Sequence, residues 1–218
     1  MLAHLDLPAL TWLCVEAAVH IPQGNDMQNL LPYVVRHAHG PQDVQPLQSA
    51  LVLERGKYVD ILAWTTPDID DVVHDPFTLL PTTLPTRVAL SLTNKVGWYT
   101  LGPGIETNRT VIASLPLDDI VTLIIKYSMS SLYFEVSLPN LQKWPLLRRV
   151  RLTRDDVVRF FDWLLADKGG CENPLLPSLK ELVLVDCVLY KHQTFHFRNA
   201  LMKRVEQGVP LETLDLRT

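Results

Sequence analysis

Cysteine is scarce in this chain of 218 residues, confined to Cys14, Cys171 and Cys187. An odd, sparse set is no disulfide framework. It fits free thiols in a reducing compartment, cytoplasm or nucleus. Excess charge is also lacking: 20 Lys and Arg stand against 24 Asp and Glu, a formal net charge of −4. That balance offers no general attraction to nucleic acid or to an anionic membrane. No window approaches the roughly 18 uninterrupted apolar residues that a membrane span needs. The apolar opening, residues 1–20, has no basic leader, and Asp6, Pro8 and Glu16 interrupt it, so it does not read as a signal peptide. Asn108-Arg109-Thr110 fits a glycosylation sequon, an accidental match without secretion.

Catalytic signatures are missing too. There is no G-x-x-x-x-G-K-[ST] loop, no G-x-G-x-x-G and no G-x-S-x-G elbow. Gly102-Pro103-Gly104 cannot cradle phosphate in the same way, because proline has no N–H to offer. His192 and His196 stand four apart, a spacing that suits zinc on one helix face, but no glutamate or cysteine completes a known set. His37 and His39, beside Gly40-Pro41, read as solvated loop residues. Asp68, Asp70, Asp71 and Asp75 lack the glycine and terminal glutamate of a calcium loop and read as a solvated acidic loop. The expectation is a protein without cofactor or metal, and not an enzyme.

One phrase is abundant by contrast. Leu147-x-x-Val150-x-Leu152 returns as Leu179-x-x-Leu182-x-Leu184 and as Leu211-x-x-Leu214-x-Leu216. From 147 to 179 and from 179 to 211 the step is 32 each time. Pro145, Pro177 and Pro210 precede the three phrases. Each interval carries a helix-like segment. Thr153 suits an N-cap, Val157, Phe160, Phe161, Leu164 and Leu165 form one apolar face, and Gly169-Gly170 ends the run. A second helix is expected over Phe195 to Gln207, with Phe197, Leu201 and Val205 on one face. Lys203 and Arg204 fall in its last turn, and Gly208 stops it. Strand phrase plus returning helix predicts an α/β leucine-rich-repeat solenoid, with parallel strands on the concave face and helices on the convex face. Residues 1–218 then form a single domain, irregular over 1–140 and regular over 141–218.

The irregular half is read more coarsely. Pro8-x-Leu10-x-x-Leu13-x-Val15 already resembles the phrase. A helix over Asn25 to Val35 is kinked by Pro32. Strands are expected at Ser49–Glu54, Arg87–Leu92 and Ile120–Ile125. Tyr58–Trp64 suits a short helix or a strand, and the helix is preferred. Residues 65–86 are punctuated by Pro67, Pro76, Pro81 and Pro85, with a short helix from Thr66 to Val73. A turn falls at Leu101–Gly104, and Leu132–Val136 is strand or helix. No polar-faced end unit is visible at either end, which points to a truncated chain or to covered ends.

Pro177 to Leu184 resembles a leucine-rich-repeat strand, and Ala200 to Thr218 looks like the repeat region of F-box leucine-rich-repeat proteins of mushroom-type fungi. The specific match covers about the last third of the chain. In that family an F-box recruits a cullin-type ubiquitin ligase and the repeats hold the substrate. No F-box segment is found before Leu7-Pro8, so the resemblance implies the recognition half alone, with a protein partner and, through it, ubiquitin-ligase components.

The phrase also predicts a surface. With its leucines inward, alternation turns the intervening residues onto the concave face. These are Arg149 and Arg151, Glu181 and Val183, Thr213 and Asp215, with Trp12 and Cys14 from the first phrase. Trp12, Arg149, Arg151, Glu181, Val183, Thr213 and Asp215 form the expected partner-binding strip, since repeat proteins bind along such faces and Arg and Trp are enriched at binding hot spots. The bland alternative is a solvated strip with a cross-strand pair Arg149–Glu181. Two other readings stay open: a small-molecule binder or enzyme with its site in 65–104, and an incomplete fragment of a longer repeat protein.

Overall fold

The computed structural model describes residues 13–19, 32–36, 38, 45–55, 58–67, 69, 88–94, 113–128, 144–153, 157, 160, 161, 164, 174–187 and 190–217. The strands are β1 (Leu13–Val19), β2 (Ser49–Arg55), β3 (Tyr58–Trp64), β4 (Val88–Asn94), β5 (Thr122–Ser128), β6 (Arg149–Thr153), β7 (Glu181–Val185) and β8 (Thr213–Arg217). Helix α1 spans Lys191–Glu206. All eight described strands join one sheet in the order β1-β4-β3-β2-β5-β6-β7-β8. Only β3 runs antiparallel to its neighbours; the other five pairings are parallel. The fold is thus α/β with a mostly parallel sheet.

The three phrases lie side by side. Arg149 pairs with Glu181 and Glu181 with Thr213, so the 32-residue step in sequence is a direct step across the sheet. β5 joins this set at a shorter step, with Thr122 opposite Arg149. Each strand in the run begins in the same way. Val121 and Thr122 both donate their backbone N–H to Gln48 O, and Arg148 and Arg149 to Val121 O. Lys180 and Glu181 donate to Arg148 O, and Glu212 and Thr213 to Lys180 O, all at 2.7–3.1 Å. A tight turn precedes three of these starts: Ile120 N–H donates to Leu117 O, Leu147 to Trp144 O and Leu179 to Leu176 O. Pro145 and Pro177 occupy the second position of their turns, where a fixed φ near −65° is already correct.

The N-terminal half departs from stacking in chain order, because β4 lies between β1 and β3. The cause is local. Only Gly56-Lys57 separates β2 from β3, and Arg55 pairs with Tyr58. Two residues suffice for an antiparallel hairpin, whereas a parallel return needs a dozen or more. Tyr58–Trp64, preferred above as a helix, is therefore a strand. Ile61, Leu62, Ala63 and Trp64 are all buried, so neither side of β3 shows the exposed stripe of a surface helix.

The core lies on the phrase-leucine side of the sheet. Leu123, Ile125, Val150, Leu152, Leu182 and Leu184 are buried there with Leu147 and Leu179. Val157, Phe160, Phe161 and Leu164, the expected helix face, are helical and buried in the same cluster. Phe161 sets its ring edge-on to Phe160 (5.8 Å between centroids) and to Phe197 of α1 (4.7 Å). Pro32–Arg36 is helical, with Val34 in the core. Thr66, Pro67 and Ile69 are not helical, which corrects the start of the expected Thr66–Val73 helix. Residues 25–31, 70–73, the capping segment after Thr153, Leu165, the Gly169-Gly170 stop, the turn at 101–104 and the element at 132–136 lie outside the described residues.

Helix α1 starts four residues before the expected Phe195. Tyr190, an unusual cap, has its backbone N–H held by Gln193 Oε1 at 2.8 Å. At the other end Gly208 stops the helix as expected. Its φ is 74°, its N–H donates to Val205 O, and Val209 N–H reaches Arg204 O at 2.9 Å. This is the Schellman closure, which needs a left-handed residue. A Cβ at Gly208 would meet nothing within 4 Å. Gly208→Ala is therefore expected to cost about 1 kcal/mol through φ alone, read as a small fall in melting temperature.

The expected inner face of α1 is corrected. Phe197 packs against the core and Ala200 is in it, but Val205 is exposed. In its place Arg204 is buried. Its Nη1 donates to Leu175 O at 2.9 Å, and its Nη2 to Leu176 O and Leu179 O, both at 3.1 Å. Burial lowers the guanidinium pKa to about 10, which leaves it cationic at neutral pH. Leu176 needs such a brace, since its φ of 51° is left-handed, a costly conformation for a side chain of its size.

Candidate protein-interaction surface

Register defines the face opposite the core. One row across it runs Trp64, Ser49, Thr122, Arg149, Glu181, Thr213. The next runs Leu62, Leu51, Ile124, Arg151, Val183, Asp215. Arg149, Arg151, Glu181, Val183, Thr213 and Asp215 are thus brought together on one face, as the alternation predicts. Trp12 lies outside the described residues, and Cys14 is placed only as a register position on β1, opposite Ala89.

This face is not open throughout. Ile124, Arg151 and Val183 are only 0%, 5% and 0% exposed. Arg151 and Val183 therefore contribute nothing to an accessible strip, which corrects their expected role. The runs Leu123-Ile124-Ile125 and Leu182-Val183-Leu184 carried the signal. A parallel strand covered on both faces reads as continuous apolar sequence instead of alternating. The first row is closed at its other end as well: Ser49, Thr122 and Trp64 are buried, and Ser49 Oγ donates to Thr66 O at 2.6 Å, which folds the chain after β3 back over the row.

What stays accessible is charged and paired. Arg149 Nε meets Glu181 Oε2 at 2.8 Å across β6 and β7. Arg217 Nε meets Asp215 Oδ2 at 2.8 Å along β8. Lys180 Nζ and Glu212 Oε1 are 3.0 Å apart where β7 and β8 begin. Thr213 is exposed between them. Each partly exposed pair contributes about 0–1 kcal/mol to stability. Their consequence is a fixed pattern of alternating charge on a rigid sheet, which favours discrimination over tightness. No family model, no curated protein and no solved structure matches this chain.

His37, His39, Asp68, Asp70, Asp71 and Asp75 lie outside the described residues. No group of three or more His, Cys, Asp or Glu comes together among the described residues. His192 and His196 both fall on α1, and His196 is exposed, edge-on to Phe195. Cys187 is a half-buried thiol whose Sγ donates to Val185 O at 3.2 Å. No described helix is long and apolar enough to cross a membrane.

Proposed function

We propose that this chain is a leucine-rich-repeat interaction module, the substrate-holding part of an F-box-type ubiquitin-ligase adaptor, working in cytoplasm or nucleus. The observation that supports it most is the constant step. β6, β7 and β8 are adjacent parallel strands in one register, and β5 leads into them with the same backbone start. In this reading β5 to β8 are successive solenoid rungs, and the hairpin of β2 and β3 is an irregular insertion. The module recognises a protein by surface complementarity, without a cofactor and without chemistry of its own. Its contact residues are Arg149, Glu181, Thr213 and Asp215, with Lys180, Glu212 and Arg217 at the margins. A complementary partner presents an acidic group to Arg149 and a donor to Glu181 and Asp215.

The test exchanges charge without breaking the pair. Arg149→Glu with Glu181→Arg keeps an ion pair across β6 and β7 but inverts the field that a partner meets. Affinity purification from native cells should recover cullin-ligase subunits and a substrate protein with the natural sequence. The double variant should lose the substrate at least tenfold, with an unchanged circular dichroism spectrum. Undiminished substrate capture by the folded variant would remove this face from the account. Absence of ligase subunits from the natural-sequence sample would remove the adaptor role.

A further inference from the structure

Among the described strands β8 is an edge, paired with β7 alone. Thr213 N–H donates to Lys180 O, and Arg217 O accepts from Asp186 N–H. Along a strand, successive residues turn their backbone groups to opposite sides. Thr213, Asp215 and Arg217 thus face β7, and the N–H and C=O of Leu214 and Leu216 point outward. Their side chains are unusual as well. At the same register Leu182 and Leu184 are fully buried, yet Leu214 and Leu216 are 40% and 66% exposed. An edge with outward hydrogen-bonding groups and bare leucines is a template for one more strand.

We propose that this strand is β8 of a second copy of the chain, antiparallel, related by a two-fold axis through Leu216. Charge and hydrogen-bond phase select this arrangement together. With the axis at Leu216, that residue faces its own equivalent and uses the outward N–H and C=O in a hydrogen-bonded pair. One position away, Asp215 faces Arg217 of the second copy, and Arg217 faces Asp215 of the second copy. These are non-hydrogen-bonded positions, where opposed side chains approach most closely. The other centres are poorer. An axis at Asp215 opposes two carboxylates, and one at Arg217 opposes two guanidinium groups. An axis at Leu214 sets Leu216 against Glu212 and leaves the Asp215–Arg217 match unmade. The contact is isologous and closes on itself, so it ends at a dimer. It does not depend on the substrate-holding role proposed above.

Sedimentation velocity on the full chain, from low to high micromolar, should show a concentration-dependent dimer. Asp215→Arg and Arg217→Asp each set four like charges against one another and should each be monomeric where the natural chain is dimeric. Both side chains are partly exposed, so circular dichroism should report unchanged folding. An equimolar mixture of the two variants places every Arg opposite an Asp and should recover a dimer, seen by native mass spectrometry as the mixed species. Arg149→Glu/Glu181→Arg should leave dimerisation intact, which separates this contact from the substrate face. A natural chain that stays monomeric at every concentration would overturn the proposal and give the edge to a strand of other origin. So would variants that still self-associate, or a mixture that fails to recover.

Discussion

Arg204→Met should lower the melting temperature by roughly 9 °C, a loss of about 3 kcal/mol at the 2–4 °C per kcal/mol expected for a domain of this size. Three carbonyls, those of Leu175, Leu176 and Leu179, lose their charged donor together. Hydrogen bonds to a charged group contribute about 1.5–3 kcal/mol each. The sum is offset in part because methionine avoids the desolvation that lowers the Arg204 pKa. Met keeps the helix and fills much of the volume, so the loss reports the brace more than a cavity. Arg204→Lys should rescue little. An ammonium is a compact point charge, and no single position serves three carbonyls as the planar fork does. A thermal melt followed by circular dichroism decides it, and an unchanged midpoint would mean that the left-handed turn at Leu176 holds itself.

Leu184→Ala and Leu216→Ala should differ sharply although they change the same position of the same phrase. Leu184 is buried in one cluster with Leu152 and the helical phenylalanines, so truncation should cost about 2–5 kcal/mol through lost burial and a residual cavity. Leu216 is mostly exposed, and its truncation should stay within about 0.5 kcal/mol at concentrations where the chain is monomeric. Urea titration of the two variants measures the contrast. Equal losses would mean that β8 is covered in solution in a way its exposure does not suggest.

The regular end was the most legible part. A hydrophobic phrase at a fixed interval specifies both strand and neighbour, and β6, β7 and β8 pair in the register that the spacing implies. Val157, Phe160, Phe161 and Leu164 were legible for a similar reason, since one face at helical spacing has one way to be buried. The N-terminal half was not. Its order turns on the two-residue link Gly56-Lys57, a short-range signal that the apolar run of β3 masked. Alternation also overstated the open face. It assigned Arg151 and Val183 to a surface because it assumes one covered side, whereas the apolar neighbours Ile124 and Val183 call for two. Arg204 was hidden for another reason. A cation in a last helical turn normally needs only solvent and the helix dipole, and nothing in sequence shows that carbonyls 25 to 29 residues earlier converge on it.

The shared acceptor at the head of each strand governs how this molecule tolerates changes in length. Carbonyls 121, 148 and 180 each take two successive amides, although the first interval is 27 residues and the second 32. Connections between strands can thus grow or shrink without disturbing the lattice, at about 0.6 kcal/mol for each doubling of a flexible loop. A single residue inserted between Leu179 and Leu182 is another matter. It would exchange one face for the other along all of β7, taking the leucines out of their cluster and turning Glu181 into it. Homologous chains should therefore differ freely in the connectors and keep the few residues around each docking carbonyl at constant number.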